Sequence, residues 1–470
     1  MNFPASTLES LEEYVSTGQL FADLSRRVAY RTESATSEGR VALDAYLTEV
    51  LIPDLSALGC ETELFRGWEG GANSFLIGTR IESEDVPTVL CYGHADVVPG
   101  QDGEWDEGRS PWVLEADGDR WYGRGTADNK GQHLINLVAL RILLETNGRL
   151  GFNLKFLFEC GEEIGSPSLA EFASANKDKL AADVFIASDG PRLSADTPTI
   201  FLGSRGGITF ELDVNLRSGS YHSGNWGGLL RNPGTTLAAA IGTLVDGNGR
   251  ILLPDLLPAN VPESVRTALS EIVIPHTPGD PDIDVDWADT SLTPAEKLYG
   301  WNTLEVLALG SGDVRAPISA IPGSARAVLQ LRFVAGTPTD GMEDAVQAHL
   351  DDRGFGMVRV RKTTFFPASR LDPANPWVEW ASRSIHSTTG IQPTVLPNIG
   401  GSLPNNVFED ILGLPTLWIP HSYPGCQQHA PNEHMLTSIA RQGLHIACGL
   451  FHDLGHTSAD IELPLAATTA

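Results

Sequence analysis

The feature that most constrains this chain occurs three times: an apolar run with strand character stops on histidine or acid, and a helix or loop comes next. Val89 and Leu90 run through Cys91 and Tyr92 into Gly93-His94-Ala95-Asp96-Val97-Val98-Pro99. Phe152, Leu154, Phe156 and Phe158 alternate as in a strand and lead into Glu159-Cys160-Gly161-Glu162-Glu163-Ile164-Gly165-Ser166. A third run, residues 184–187, ends in Ser188-Asp189-Gly190. Short apolar runs of this length read as buried strands, and open α/β sheets place their sites at the strands' carboxyl ends. The pattern predicts a mostly parallel sheet whose strand ends share one polar site.

Two further blocks supply polar groups of the same kind. Tyr122-Gly123-Arg124-Gly125-Thr126-Ala127-Asp128-Asn129-Lys130-Gly131 precedes an apolar-periodic segment (Leu134, Ile135, Leu137, Val138, Ile142, Leu143), which reads as a helix with Asp128 at its entrance. A helix N-terminus favours negative charge, so this is a good place for a carboxylate that bridges metals. Near the other end of the chain stands His421-Ser422-Tyr423, and after it His429-Ala430-Pro431-Asn432-Glu433.

At 470 residues the chain exceeds one ordinary core, so two domains are expected. Residues 1–200 read as the first part of an α/β catalytic domain. Amphipathic helices are predicted over 7–30 and 41–58, and strands near 61–65, 74–78 and 88–92. The character changes near residue 201. Alternating strands at 208–215, 325–334 and 357–361 carry no acid clusters at their ends, and 201–370 reads as a smaller inserted α+β domain. Catalytic character returns over 371–470, with a helix near 376–388, the block Gly400-Gly401-Ser402-Leu403-Pro404 and a frayed tail after Pro464.

Collected, His94, Asp128, Glu163, Asp189 and His429 are nitrogen and oxygen donors that suit Zn, Mn or Co rather than a thiolate-bound soft metal. With one carboxylate shared, five such ligands serve two metals, one histidine each. Co-catalytic pairs of this composition lie about 3.5–4 Å apart, activate water and polarise a carbonyl. Asp96, two residues after His94, is placed to orient its ring from the second nitrogen. His133, His421, His434 and the other histidines have no such pattern.

The blocks Gly-His94-Ala-Asp96-Val-Val-Pro, Gly-Arg-Gly-Thr-Ala-Asp128-Asn-Lys-Gly, Gly-Glu162-Glu163-Ile-Gly-Ser, Ser-Asp189 and His429-Ala-Pro-Asn-Glu433 resemble those of the M20 family of dinuclear metallopeptidases. The resemblance implies that His94, Asp128 and Asp189 hold one metal, and Asp128, Glu163 and His429 the other, with zinc the first choice. It implies a cis peptide at Asp128–Asn129, and Glu162 as the general base. The stretch Arg217-Ser-Gly-Ser-Tyr-His222-Ser-Gly resembles the family's lid motif, which gives His222 an oxyanion role across a homodimer formed through the inserted domain. Arg332 resembles the arginine that grips a substrate carboxylate. Gly400-Gly401-Ser402-Leu403-Pro404 resembles the substrate-covering loop of the carnosinase-like dipeptidase branch, and so assigns Gly401 and Ser402 to substrate. That branch carries Arg-Glu before the two glycines; here Asn398-Ile399 stands there, and the cation is absent at that position.

The expected reaction is metal-dependent cleavage of an amide bond in a small substrate, with a dipeptide preferred. The alternatives are deacylation of N-acyl or N-carbamoyl amino acids and, more remotely, a non-catalytic binding relative. The net charge of -28 argues against nucleic acid or anionic membrane as partner. Five scattered cysteines without Cys-x-x-Cys spacing point to neither disulfides nor a thiolate site, and with no leader or spanning segment the expected location is the cytoplasm.

Overall fold

A computed structural model of the chain describes residues 3–71, 73–276 and 281–456. The tail after Pro464 lies outside them. The chain divides into two compact units, one of 1–202, 371–396 and 404–470, the other of 203–370 with 397–403. The expected boundaries are 200/201 and 370/371. The short stretch 397–403 belongs with the inserted unit and not, as its sequence position suggests, with the returning catalytic part.

The larger unit is built on an eight-stranded sheet in the order Glu61–Phe65, Phe75–Arg80, Asn153–Glu159, Thr88–His94, Val184–Ala187, Thr416–Trp418, Thr199–Phe201, Thr394–Leu396. Its four middle strands, from Asn153–Glu159 to Thr416–Trp418, run parallel. They are buried on both faces, so even the polar residues of the alternating strand Asn153–Glu159, Asn153, Lys155 and Glu159, are buried, while Val184–Ala187 is apolar throughout. Register pairs His94 with Glu159. The residues just past each strand therefore emerge at one edge of the sheet.

Helix Lys130–Asn147 packs against the sheet and is buried nearly all round, including Gln132, His133 and Asn136. Gly131 allows its first turn to approach the preceding loop, because a Cβ there would collide with the Thr126 carbonyl and Met435. Helices Pro376–Thr389 and Thr437–Gly455 complete this core. The last is not among the expected elements, although its apolar positions recur at helical spacing (Leu444, Ala447, Cys448, Phe451). The helix expected over 7–30 is two, Ala5–Ser16 and Gln19–Val28, because Gly18 adopts a left-handed conformation between them. The helix expected over 41–58 begins earlier, at Ser37, under a Thr36 cap whose hydroxyl accepts from the Gly39 N–H.

The inserted unit carries a four-stranded antiparallel sheet ordered Thr303–Gly310, Ser324–Phe333, Gly206–Asn215, Val358–Phe366. Helices Pro233–Ile241 and Met342–Asp352 cover one face through Leu237, Val346 and Leu350. This is the α+β layer arrangement expected from alternating strands.

Candidate metal centre

His94 ends its strand completely buried. Its Nδ1 donates to the main-chain carbonyl of Asp96 at 3.0 Å, which leaves the neutral ring's lone pair on Nε2. That atom lies 2.9 Å from Asp128 Oδ1 and 3.7 Å from Asp189 Oδ2. On the opposite side, His429 Nε2 lies 3.0 Å from Asp128 Oδ2 and 3.1 Å from Glu163 Oε2. All five expected ligands are thus brought together, with Asp128 between the two imidazoles. Ligand atoms of His94, Asp128 and Glu163 fall within 4.8 Å of one another.

The environment asks for cations. Without an ion the imidazoles themselves would have to carry that charge: against the effect of burial, hydrogen bonds to Asp128 and Asp96 push His94 well above its ordinary value. Asp189 Oδ2 is buried with no hydrogen-bond partner among the described residues. Burial first and the charge of Asp128 second push Glu163 up to about 7 and Asp189 up to about 6. Hydrogen bonds to Asp128 and Glu163 push His429 up to about 11. Glu162 is raised well above the usual carboxylate range by burial, with Asp189, Asp128 and Glu163 adding to it against His94. Two neutral imidazoles and three ionised carboxylates are a suitable donor set for divalent metal, and the crowding of like charge is what such an ion would relieve.

Asp96 does more than orient a ring. The imidazole of His94 sits nearer to its main-chain oxygen than to its carboxylate, which is 3.4 Å away. The carboxylate instead accepts the N–H groups of Glu162 at 3.2 Å and Glu163 at 3.1 Å. One residue therefore fixes a ligand, the turn Glu162–Ile164 and the relation between them. The turn lets two adjacent glutamates point to different tasks.

Sequence reasoning assigns no role to Glu433. Its buried carboxylate accepts the N–H groups of Gly125, Ala127 and Asp128 at about 3 Å and pairs with the buried Arg124 at 2.8 Å. It braces the segment that presents Asp128. Both residues lie inside the recognised blocks, and an Arg and a Glu in two blocks that converge on one site are the available signal. Glu159 is a second residue of this kind. It is buried, bonded by Tyr92, Asn73 and Ser166, and pushed up to about 7 chiefly by burial. The peptide Asp128–Asn129 is cis.

His133 bonds to Tyr46 and Asn129, and His434 to Tyr423 and the Asn432 carbonyl, so both are spent on structure. The remaining expected site residues lie in the inserted unit. His222 is exposed, and its Nδ1 accepts from the Gly224 N–H, which puts the neutral ring's proton on Nε2. Arg332 Nη1 donates to Ser402 Oγ at 3.0 Å, and the Gly401 carbonyl accepts from the Arg205 N–H at 3.1 Å. Asn398 is buried with its amide on the Ile399 carbonyl, and it brings no charge to the loop.

A parallel α/β sheet whose strand ends gather two imidazoles and several carboxylates around a divalent-metal site, with a glutamate beside them, defines a metal-dependent hydrolase. The chain belongs to peptidase family M20/M25/M40, whose sequence model matches residues 90–453. It is 26% identical to a rat (Rattus norvegicus) Beta-Ala-His dipeptidase over 98% of this chain and 99% of that one. It is 28% identical to the Cysteinylglycine-S-conjugate dipeptidase of Corynebacterium striatum, over 71% and 73% of the two chains. Among solved structures it resembles the M20 family metallo-carboxypeptidase Sso-CP2 from Sulfolobus solfataricus, with 26% identity, a TM-score of 0.75, and 93% and 99% of the chains covered. Among the described residues, no helix is long and apolar enough to cross a membrane.

Proposed function

We propose that the protein is a dipeptidase using two divalent metal ions, zinc in the first instance. His94, Asp128 and Asp189 would hold one ion, and Asp128, Glu163 and His429 the other. The observation that carries this reading is Asp128 set between two imidazole Nε2 atoms at 2.9 and 3.0 Å, with Glu162 on the adjoining turn. The names of the two dipeptidase relatives support the substrate class.

Bound metal supplies Lewis acidity, lowering the pKa of a water and polarising the scissile carbonyl. The chain's own groups do the rest. Glu162 takes a proton from the attacking water and delivers it to the leaving amine nitrogen, a task for a carboxylate on the turn beside the ligands. Asp96 holds that glutamate at its station. His222, with its proton on Nε2, donates to the developing oxyanion from the partner copy of a homodimer. Exposed Val306, Leu307 and Leu309 on the edge strand Thr303–Gly310 support pairing through the inserted unit. Arg332 binds the substrate carboxylate, and Gly401 and Ser402 line its approach. Five buried, unpaired cysteines fit a reducing cytoplasm.

The test is hydrolysis of a mixed panel of dipeptides and N-acyl amino acids by Zn- and Mn-loaded protein, with and without chelator. Chelator-sensitive cleavage of dipeptides is expected. Cleavage confined to acylated amino acids would replace the dipeptidase with a deacylase, and no cleavage with any metal would remove the enzyme reading.

A further inference from the structure

Helix Lys130–Asn147 begins beside the candidate centre and buries Gln132, His133 and Asn136 within its first two turns. A buried polar side chain is costly unless it is bonded, so each of these has to be accounted for by its partners. His133 bonds to Tyr46 and Asn129, and Asn136 donates to the Ser188 hydroxyl at 3.0 Å. Gln132 spends its amide on main chain. Its Nε2 donates to the Ala127 carbonyl at 2.7 Å and to the Gly190 carbonyl at 3.1 Å, and its Oε1 accepts the His421 N–H at 2.7 Å. Reversing the amide would set its oxygen against two carbonyls and its NH₂ against an N–H, so the partners fix which way it points.

Those partners stand in three segments far apart in sequence, and each segment carries a proposed ligand. Ala127 immediately precedes Asp128, Gly190 immediately follows Asp189, and His421 opens the stretch that leads to His429. The hold on Asp189 is the most direct. Gly190 turns the chain with a left-handed φ of 63°, and its N–H bonds Asp189 Oδ1 at 2.7 Å, which leaves Oδ2 as the oxygen that lies 3.7 Å from His94 Nε2. Asn129 donates to the carbonyl on the other side of Asp189, that of Ser188, at 2.7 Å, and the Ser422 hydroxyl joins Gln132 on the Gly190 carbonyl at 2.9 Å. Glu433 braces the Asp128 segment; Gln132 relates that segment to the other two.

We propose that Gln132 is a positioning residue of the metal centre. It sets the separation between Asp128 and Asp189, the two carboxylates assigned to one ion, and anchors the start of the segment that brings His429 to the other. The assignment of ions rests on the two-metal reading above. Gln132 acts through the backbone on either side of the ligands, and outer partners of this kind tune metal affinity by fixing the geometry the ligands present.

The test is titration of the metal-free protein with Co²⁺, followed by calorimetry and by visible absorption, which reports coordination geometry. The wild type is expected to take two ions per chain. Gln132→Met keeps the length of the side chain and removes its three bonds; it is expected to weaken at least one ion by about ten- to a hundredfold and to alter the spectrum. Gln132→Glu, kept neutral by burial, retains one donor and the acceptor and is expected to lie between the two. Leu140→Ala opens a cavity in the buried face of the same helix; it is expected to lower the urea midpoint while leaving Co²⁺ affinity within about threefold and the spectrum unchanged. Wild-type affinity and spectrum in Gln132→Met would overturn the proposal. So would failure of both Gln132 variants to fold where Leu140→Ala folds, since the role would then be structural. Two ions bound in a variant-sensitive way, without hydrolysis of any dipeptide, would leave the positioning role and remove the dipeptidase. Two ions held equally by every variant would remove the positioning role alone, and a wild type that binds no Co²⁺ would remove both.

Discussion

Glu162 and Glu163 are neighbours in sequence to which the proposed function gives different work, and both are held by Asp96, whose two carboxylate oxygens each take one of their N–H groups. Glu162→Gln keeps the shape and removes the proposed proton carrier. It is expected to retain metal by elemental analysis while losing about a hundred- to ten-thousand-fold in kcat; turnover within about threefold of wild type would mean another group moves the proton. Glu433→Gln acts differently. Its carbonyl can keep the three backbone N–H groups that reach Oε1, but its NH₂ then faces Arg124 in place of Oε2 and strands that buried charge, a change that typically costs about 3–5 kcal/mol. Urea unfolding should show that loss, and metal titration should show weaker binding through the loosened Asp128 segment. The five proposed ligands and Glu162 are legible as residues because each sits in a recognisable block, at the end of a strand, the entrance of a helix or beside Ala-Pro-Asn-Glu. The bracing by Glu433 is not, since a carboxylate that accepts backbone N–H groups leaves no periodic trace and its partners lie some 300 positions away in the chain.

Among the elements, helix Lys130–Asn147 matters most for the site, because its first turn comes directly after the Asp128 segment and its buried face sets the depth at which that carboxylate is presented. Gly131→Ala would drive a methyl group into the Thr126 carbonyl and Met435. A destabilisation of about 1–3 kcal/mol is expected from such overpacking, together with reduced metal content. Gly247→Ala, with open space around it, serves as the control and should be neutral in both measurements. The central strands can be read from sequence because each carries a short apolar or alternating run that stops on histidine or acid. Helix Thr437–Gly455 carries an equally regular apolar stripe at period 3.6, but Gly443 and Gly449 stand within it, and two glycines lower the intrinsic helix preference that tertiary packing then restores. The break at Gly18 is hidden for a simpler reason: the apolar spacing continues across it, and only the glycine's left-handed backbone ends the first helix.

For the whole molecule, two measurements are decisive. Sedimentation of the metal-loaded protein should show a dimer, and His222→Ala should leave it a dimer while lowering kcat; activity in a protein that is only monomeric would refute a role in trans. The second concerns pH. His421 is buried, and burial, then the charge of Arg192, hold it well below its ordinary value of 6.5 against the opposing effect of the Pro420 main chain. The unfolded chain therefore binds a proton there that the native one does not, and stability falls as pH drops below about 6.5. The contribution is about 1.4 kcal/mol per pH unit, and the difference in urea-unfolding free energy between wild type and His421→Leu should change with that slope between about pH 6 and 5. A slope unchanged by the substitution would show the ring protonated in the native state. The division into a catalytic and an inserted unit can be read from the change of character near residue 201, but the allegiance of 397–403 cannot, because seven residues between two stretches of the other unit carry no composition of their own. Their placement matters to anyone who would exchange parts between relatives. A chimera that imports residues 203–370 and leaves the host's 397–403 behind separates Arg205 from the carbonyls of Gly400 and Gly401, and Arg332 from Ser402. The transplantable module is discontinuous, and both pieces must travel together.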